Sequence, residues 1–212
     1  MIIAVDGQAG SGKGTLAKGL AQYFNYAYLD TGVIYRALGY KANMEGVALD
    51  DEDKLAELAL ILDESEFSNP KLRSEIVASY ASKVSQYPKV RKALLDYQQN
   101  FAKNPPNGFD GVVLDGRDIG TTICPDADAK IFVTASLKER TRRRIKDLQE
   151  RGIVYDADQI LEDIQERDQR DAGRAESPMK AAKDAWILDT SNMGINDVLA
   201  AGVDYIRSNA KK

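Results

Sequence analysis

The sequence has no histidine and a single cysteine, Cys124. Without histidine, neither a Ser-His-Asp nor a Cys-His arrangement can be assembled. Zinc sites draw on several Cys or His ligands, so a zinc centre is not expected. One cysteine cannot close an internal disulfide, and nothing points to an oxidising compartment. Long apolar runs are also missing: none approaches the roughly eighteen residues of a membrane span. The opening run Ile2-Ile3-Ala4-Val5 has no basic stretch before it and stops at Asp6, too short for a signal peptide. A cytoplasmic location is expected. The chemistry still available is that of carboxylates, lysines, arginines, hydroxyls, backbone amides and hard metal ions.

What is present suits one ordinary core with small inserted lobes: 212 residues, 43% hydrophobic and 29% charged. The net charge of -4, from 33 acidic and 29 basic residues, argues against a nucleic-acid partner. No membrane partner is expected, and a monomer is. Cys124, before Pro125 and without a basic neighbour, reads as a small core residue.

Short apolar runs alternate with helical stretches. Runs at Met1–Val5, Ala27–Leu29, Val112–Leu114, Lys130–Thr134 and Ala185–Leu188 predict buried strands. Asp6-Gly7 is expected to end the first. Helical spacing covers Lys13–Phe24, Val33–Met44, Glu52–Leu62, Leu72–Val84, Val90–Phe101 and Ile195–Ile206, and a helical stretch is expected after each strand. This predicts an α/β fold with a five-stranded, mostly parallel sheet and helices on both faces. Ligands in such folds sit beyond the carboxyl ends of the strands.

The first such loop is Gly7-Gln8-Ala9-Gly10-Ser11-Gly12-Lys13-Gly14-Thr15. It fits G-x-x-x-x-G-K, with Gly14 where Ser or Thr is usual. Glycines let a backbone curl its amides around phosphate oxygens, the following helix adds its positive end, and Lys13 supplies a mobile charge. All nine residues are expected to bind the phosphates of a nucleotide. Thr15, one residue beyond the usual hydroxyl, is not expected to ligate a metal directly.

Further blocks extend the pattern. These are Leu29-Asp30-Thr31-Gly32 with Tyr35-Arg36; Ser82; Pro88-Lys89-Val90-Arg91; Asp115-Gly116-Arg117-Asp118-Ile119-Gly120-Thr121; Phe132-Val133-Thr134-Ala135-Ser136 with Glu139-Arg140; and Glu166-Arg167-Asp168-Gln169-Arg170-Asp171 with Arg174, Ser177-Pro178 and Leu188-Asp189. With the first loop they resemble the cytidylate kinases, nucleoside monophosphate kinases of the P-loop fold, over almost the whole chain. The Asp63–Leu72 region is shorter than in the longer bacterial forms.

The resemblance implies a three-layer P-loop kinase in one domain. Its core would be residues 1–30, 104–137 and 175–212, its monophosphate-binding lobe about 31–103, and its mobile lid about 138–174. It implies ATP and Mg²⁺ as cofactors and CMP and dCMP as substrates. Thr31, Arg36 and Arg117 would hold the acceptor phosphate. Ser82, Arg91 and Asp118 would read cytosine, Asp171 would meet a ribose hydroxyl, and Arg174 would reach the transferring phosphoryl group with the other lid arginines. Lys13, Arg117, Arg167 and Arg170 would neutralise the transferring phosphoryl group. Asp115 and Thr15 would meet Mg²⁺ only through water. Read without the resemblance, Ser82 and Arg91 are ordinary helix-surface residues, Thr31 is a capping threonine, and the Arg140–Arg144 run is a mostly solvated helix face. Gly152 and Gly173 are expected to supply hinge freedom. Rival readings are a kinase of the same fold for UMP, AMP or a small metabolite, and a nucleotide switch or sensor. The Asn-Lys-x-Asp and Asp-x-x-Gly strings expected of a GTPase switch are absent.

Overall fold

A computed structural model describes residues 1–209. Five strands, β1 (Ile2–Gly7), β2 (Ala27–Asp30), β3 (Val112–Gly116), β4 (Ala129–Thr134) and β5 (Trp186–Asp189), form one sheet in the order β2-β3-β1-β4-β5. The pairs β1–β3, β1–β4 and β4–β5 are parallel, with Ile3 opposite both Val113 and Ala129. Eight helices accompany them among the described residues: α1 (Lys13–Phe24), α2 (Thr31–Met44), α3 (Glu52–Leu60), α4 (Glu75–Val84), α5 (Pro88–Lys103), α6 (Leu137–Glu150), α7 (Ala157–Ala172) and α8 (Ile195–Asn209). The architecture is the expected α/β sheet flanked by helices.

The chain divides into two compact units. The first is Met1–Leu29 with the chain from Pro105 onward. It holds the sheet, and its core joins Ile3, Val5, Val113, Ile131 and Val133 to Leu16 and Leu20 of α1 and Val203 and Ile206 of α8. Central strands of a parallel sheet are covered on both faces, which is why β1 is almost wholly apolar. The two helices meet through glycine: a Cβ on Gly19 would lie 2.9 Å from Leu199, and one on Gly202 2.8 Å from Leu16.

The second unit, Asp30–Asn104, is helical. Gly39 of α2 lets α4 approach, since a Cβ there would stand 2.7 Å from Tyr80 Cβ. Ala37, Leu72 and Val77 form its small cluster with Val33, Tyr40 and Phe67. No helix of the described residues is long and apolar enough to cross a membrane.

Several expectations need correction. The first strand does not end before Asp6-Gly7: both residues stay in the ladder, opposite Phe132 and Val133 of β4. The Leu72–Val84 stretch is two pieces, a 3₁₀ turn at Pro70–Arg73 and then α4, because Ser74 is extended and starts a new helix. No long helix follows β3. A five-residue π turn, Ile119–Ile123, stands there, shaped by a carboxylate described below and stopped by Pro125. The second helix starts at Thr31 rather than Val33, because Asp30 caps it by accepting from the Gly32 amide at 3.0 Å. Thr31 is therefore the first helical residue and not the cap.

Gly7 has φ +148, and a Cβ there would lie 2.1 Å from the Val133 carbonyl oxygen in β4. A backbone atom in a central strand cannot step aside as a side chain can. Gly7→Ala should therefore lower the unfolding free energy by about 3 kcal/mol or more, combining overpacking with backbone strain. Urea unfolding checks this, and an unchanged midpoint contradicts it.

Candidate active site

The loop between β1 and α1 is built by glycine conformation. Gly7, Gly10 and Gly12 all take positive φ, at 148°, 75° and 89°. No side chain caps the start of α1, so its first turn presents backbone amides and the positive end of the helix. Inside the loop, Ser11 is fully buried, and its hydroxyl donates to the Gln8 carbonyl at 2.9 Å. Thr134 Oγ1 donates to Gln8 Oε1 at 2.8 Å, tying the loop to the end of β4. The loop carbonyls are held by arginines: Arg140 donates to Ala9 O at 3.2 Å and Arg143 to Ser11 O at 3.1 Å. Arg143 also donates to Thr190 O at 2.7 Å, joining the loop to the segment after β5.

Lys13 Nζ lies 3.5 Å from Asp115 Oδ1, at the carboxyl end of β3. Tyr28 donates its phenol to Asp115 Oδ2 at 3.2 Å. The same oxygen explains Gly14, because a Cβ there would stand 3.0 Å from it. A serine or threonine at position 14 would force the Asp115 carboxylate to give way. Thr15 is exposed on α1.

Asp6 has a role the sequence reading missed. Its buried carboxylate accepts from the Ile119 and Gly120 amides, both at 2.8 Å, and so fixes the turn that follows Arg117 and Asp118. Burial pushes its carboxyl up to about 7, against the opposing effect of those two amides. Asp118 is buried in the same turn, and its carbonyl accepts from the Thr122 amide at 2.9 Å.

Arg117 leads into the second part of the site. Its Nε donates to Asp171 Oδ2 at 2.9 Å. Arg174 also bonds Asp171, and Arg167 Nε lies 3.9 Å from it. Burial pushes the Asp171 carboxyl up, but Arg117, Arg174 and Arg167 outweigh it and hold the group below the usual carboxylate range. Three of the expected arginines thus meet at one buried carboxylate. Arg170 pairs with Glu166 at 3.1 Å. Arg174 lies past the end of α7, so it does not share a helical face with Arg167 and Arg170.

The Arg140–Arg144 run is not uniformly solvated. Arg142 is largely exposed, whereas Arg140 is buried, with Asp168 Oδ2 2.6 Å away. Arg140 is one of three buried residues of α6, with Thr141 and Leu148. Gly152, at φ 66, ends α6, and the Ile153 amide donates back to Leu148 O, as in a helix C-terminal cap. Gly173 has φ -85 and also ends a helix. Cys124 is buried, as a core residue should be.

In the helical unit, Ser82 and Arg91 are buried and not on the surface, because the faces of α4 and α5 that carry them turn inward with Val77, Val90 and Leu94. The Arg91 guanidinium lies over Tyr35, 5.6 Å from the ring centroid, and donates to Ser85 O at 3.2 Å. Arg36 donates to Leu72 O at 2.9 Å, and Thr31 is buried at the start of α2.

The raised Asp6 carboxyl makes stability depend on pH. Between about 4 and about 7 the unfolded chain gives up this proton first, so the native state holds more protons. Stability therefore falls as pH rises through that window. The Asp6 contribution lost is on the order of a few kcal/mol. Unfolding curves at pH 4.5 and 7.5 should show wild type losing stability relative to Asp6→Asn; parallel behaviour of the two contradicts it.

The sequence matches the family model described as cytidylate kinase over residues 3–208. A cytidylate kinase from Bradyrhizobium sp. (strain ORS 278) is 50% identical over 208 residues, covering 98% of this chain and 96% of the relative. One from Rhodospirillum rubrum is 46% identical over 212 residues, all of both chains. Among solved structures, a Thermus thermophilus protein aligns with a TM-score of 0.52 at 20% identity, covering 100% of this chain and 98% of its own, a likeness of fold. With a phosphate-loop geometry at the end of β1 and matches that run nearly end to end, the chain belongs to the cytidylate kinase family.

Proposed function

We propose that the chain transfers the γ-phosphoryl group of ATP to CMP and dCMP, giving CDP and dCDP. The observation that carries this reading is that one unit holds both a glycine-curled phosphate loop and Arg117 fixed on a buried carboxylate. The first suits the polyphosphate of a donor, the second the phosphate of an acceptor. Relatives named cytidylate kinase supply the base, and Ser82, Arg91 and Asp118 are assigned to reading it. A carboxylate at Asp118 would accept from the cytosine amino group and reject the uracil carbonyl.

The nucleophile is a phosphate oxygen of the acceptor, already anionic at neutral pH, so no general base is needed. Catalysis rests on alignment and charge neutralisation. The loop residues 7–15 cradle the donor, and Lys13 neutralises its outer phosphates. Thr31, Arg36 and Arg117 hold the acceptor phosphate. Arg167, Arg170 and Arg174 act from the lid, and Asp171 meets the ribose. A Mg²⁺ ion bound with ATP would neutralise charge between the outer phosphates. Asp115, one carboxylate beside the loop with Lys13 and Tyr28 on its oxygens, suits a magnesium shell reached through water. Among the described residues no group of three metal-ligating side chains competes with that arrangement. This activity needs neither nucleic acid nor membrane, and we place it in the cytoplasm as the work of a monomer.

Steady-state kcat/KM with MgATP and each of CMP, dCMP, UMP and AMP tests the assignment. CMP and dCMP should lead; preference for AMP or UMP sinks the cytidine reading. Lys13→Ala should lower kcat/KM for CMP by about a thousandfold with little change in melting temperature. Near-normal turnover would mean Lys13 has another role.

A further inference from the structure

Arg140 occupies a position that nothing in the proposed chemistry requires. It is 4% exposed and makes three polar contacts to three segments. Its Nε donates to Ala135 O at 3.0 Å, just past β4. Its Nη1 donates to Ala9 O of the phosphate loop at 3.2 Å and meets Asp168 Oδ2 of α7 at 2.6 Å. Its Cβ packs against Gly10, where an added Cβ would be 3.2 Å away. The other oxygen of Asp168, Oδ1, is buried without a hydrogen-bond partner among the described residues. Asp168 is thus committed to Arg140.

Three residues further along α7 stands Asp171, which holds Arg117, Arg167 and Arg174. Residues three apart on a helix are neighbours, with about 4.5 Å of rise between them. A continuous run of short contacts therefore leads from the phosphate loop, through Arg140 and Asp168, over one turn of α7, to the arginine cluster. In-line transfer depends on the spacing of these two ends, and a misplacement of about 1 Å can cost about a hundredfold in rate.

We propose that Arg140 and Asp168 are positioning residues: a buried strut that sets the distance between the phosphate loop and the arginines gathered on Asp171. Neither touches the reacting atoms. The inference rests on the phosphotransfer reading but not on the identity of the base. Lysine at position 140 keeps the charge and loses the forked reach to three acceptors. Asparagine at 168 keeps the shape and loses the charge.

The test uses the full-length chain with MgATP and whichever monophosphate the wild type turns over fastest, so losing the cytidine assignment leaves it standing. Rates are expressed per folded molecule, counted by circular dichroism well below the melting temperature. Asp168→Asn should lower kcat at least about tenfold while KM for each substrate stays within about threefold. Arg140→Lys should do the same, and the double variant should be no slower than the slower single one, as for two ends of one strut. Arg142→Gln, two residues away and exposed, should match wild type. Wild-type kcat in folded Asp168→Asn overturns the proposal. So does a loss confined to KM, or additive effects in the double variant.

Discussion

A carboxylate taken out of water must be paired or it will not stay ionised, and Asp171, 1% exposed, meets that requirement with three guanidinium groups. Much of the first unit depends on this arrangement. Arg117 arrives from the end of β3, so the cluster joins α7 to the sheet. Arg167 lies on α7 and Arg174 beyond it, so the same carboxylate fixes where that helix ends. The Met179 amide donates to the Asp171 carbonyl at 2.8 Å, tying in the chain that leads back toward β5. Removing the carboxylate would leave arginines crowded without their partner, which costs far more than one missing hydrogen bond.

The loop between β1 and α1 follows a different logic. Its groups are mostly backbone, and side chains serve to hold the backbone in place. Gly7, Gly10 and Gly12 permit the curl, while Arg140, Arg143 and Thr134 fix its carbonyls and Gln8. Asp6, from the same strand, reaches across to the turn after Arg117. One strand thereby positions both the glycine loop and the turn after Arg117. The lack of histidine fits this plan, because the groups used are permanent charges, carboxylates, hydroxyls and amides.

Legibility in the sequence followed how local each signal was. The phosphate loop was readable because its glycines, strand and helix are contiguous. The strand runs were readable because a covered parallel strand is apolar throughout. Asp6 was misread as a strand end, since its partners, Ile119 and Gly120, lie far along the chain. Arg140 was lost in a basic run for the same reason, as only Asp168 and Ala9 make it a buried residue. Ser82 and Arg91 looked like surface positions because burial of a polar side chain has no spacing of its own. Gly14 was visible as a departure, and its cause, the Asp115 oxygen, was not.

Asp171 holds Arg117, Arg167 and Arg174 in place. The most direct test is kcat/KM for CMP in Asp171→Asn, with the melting temperature measured alongside. A loss of at least about a hundredfold is expected together with a lower melting temperature, because three guanidinium groups lose their shared anion. Turnover and melting close to wild type would contradict it.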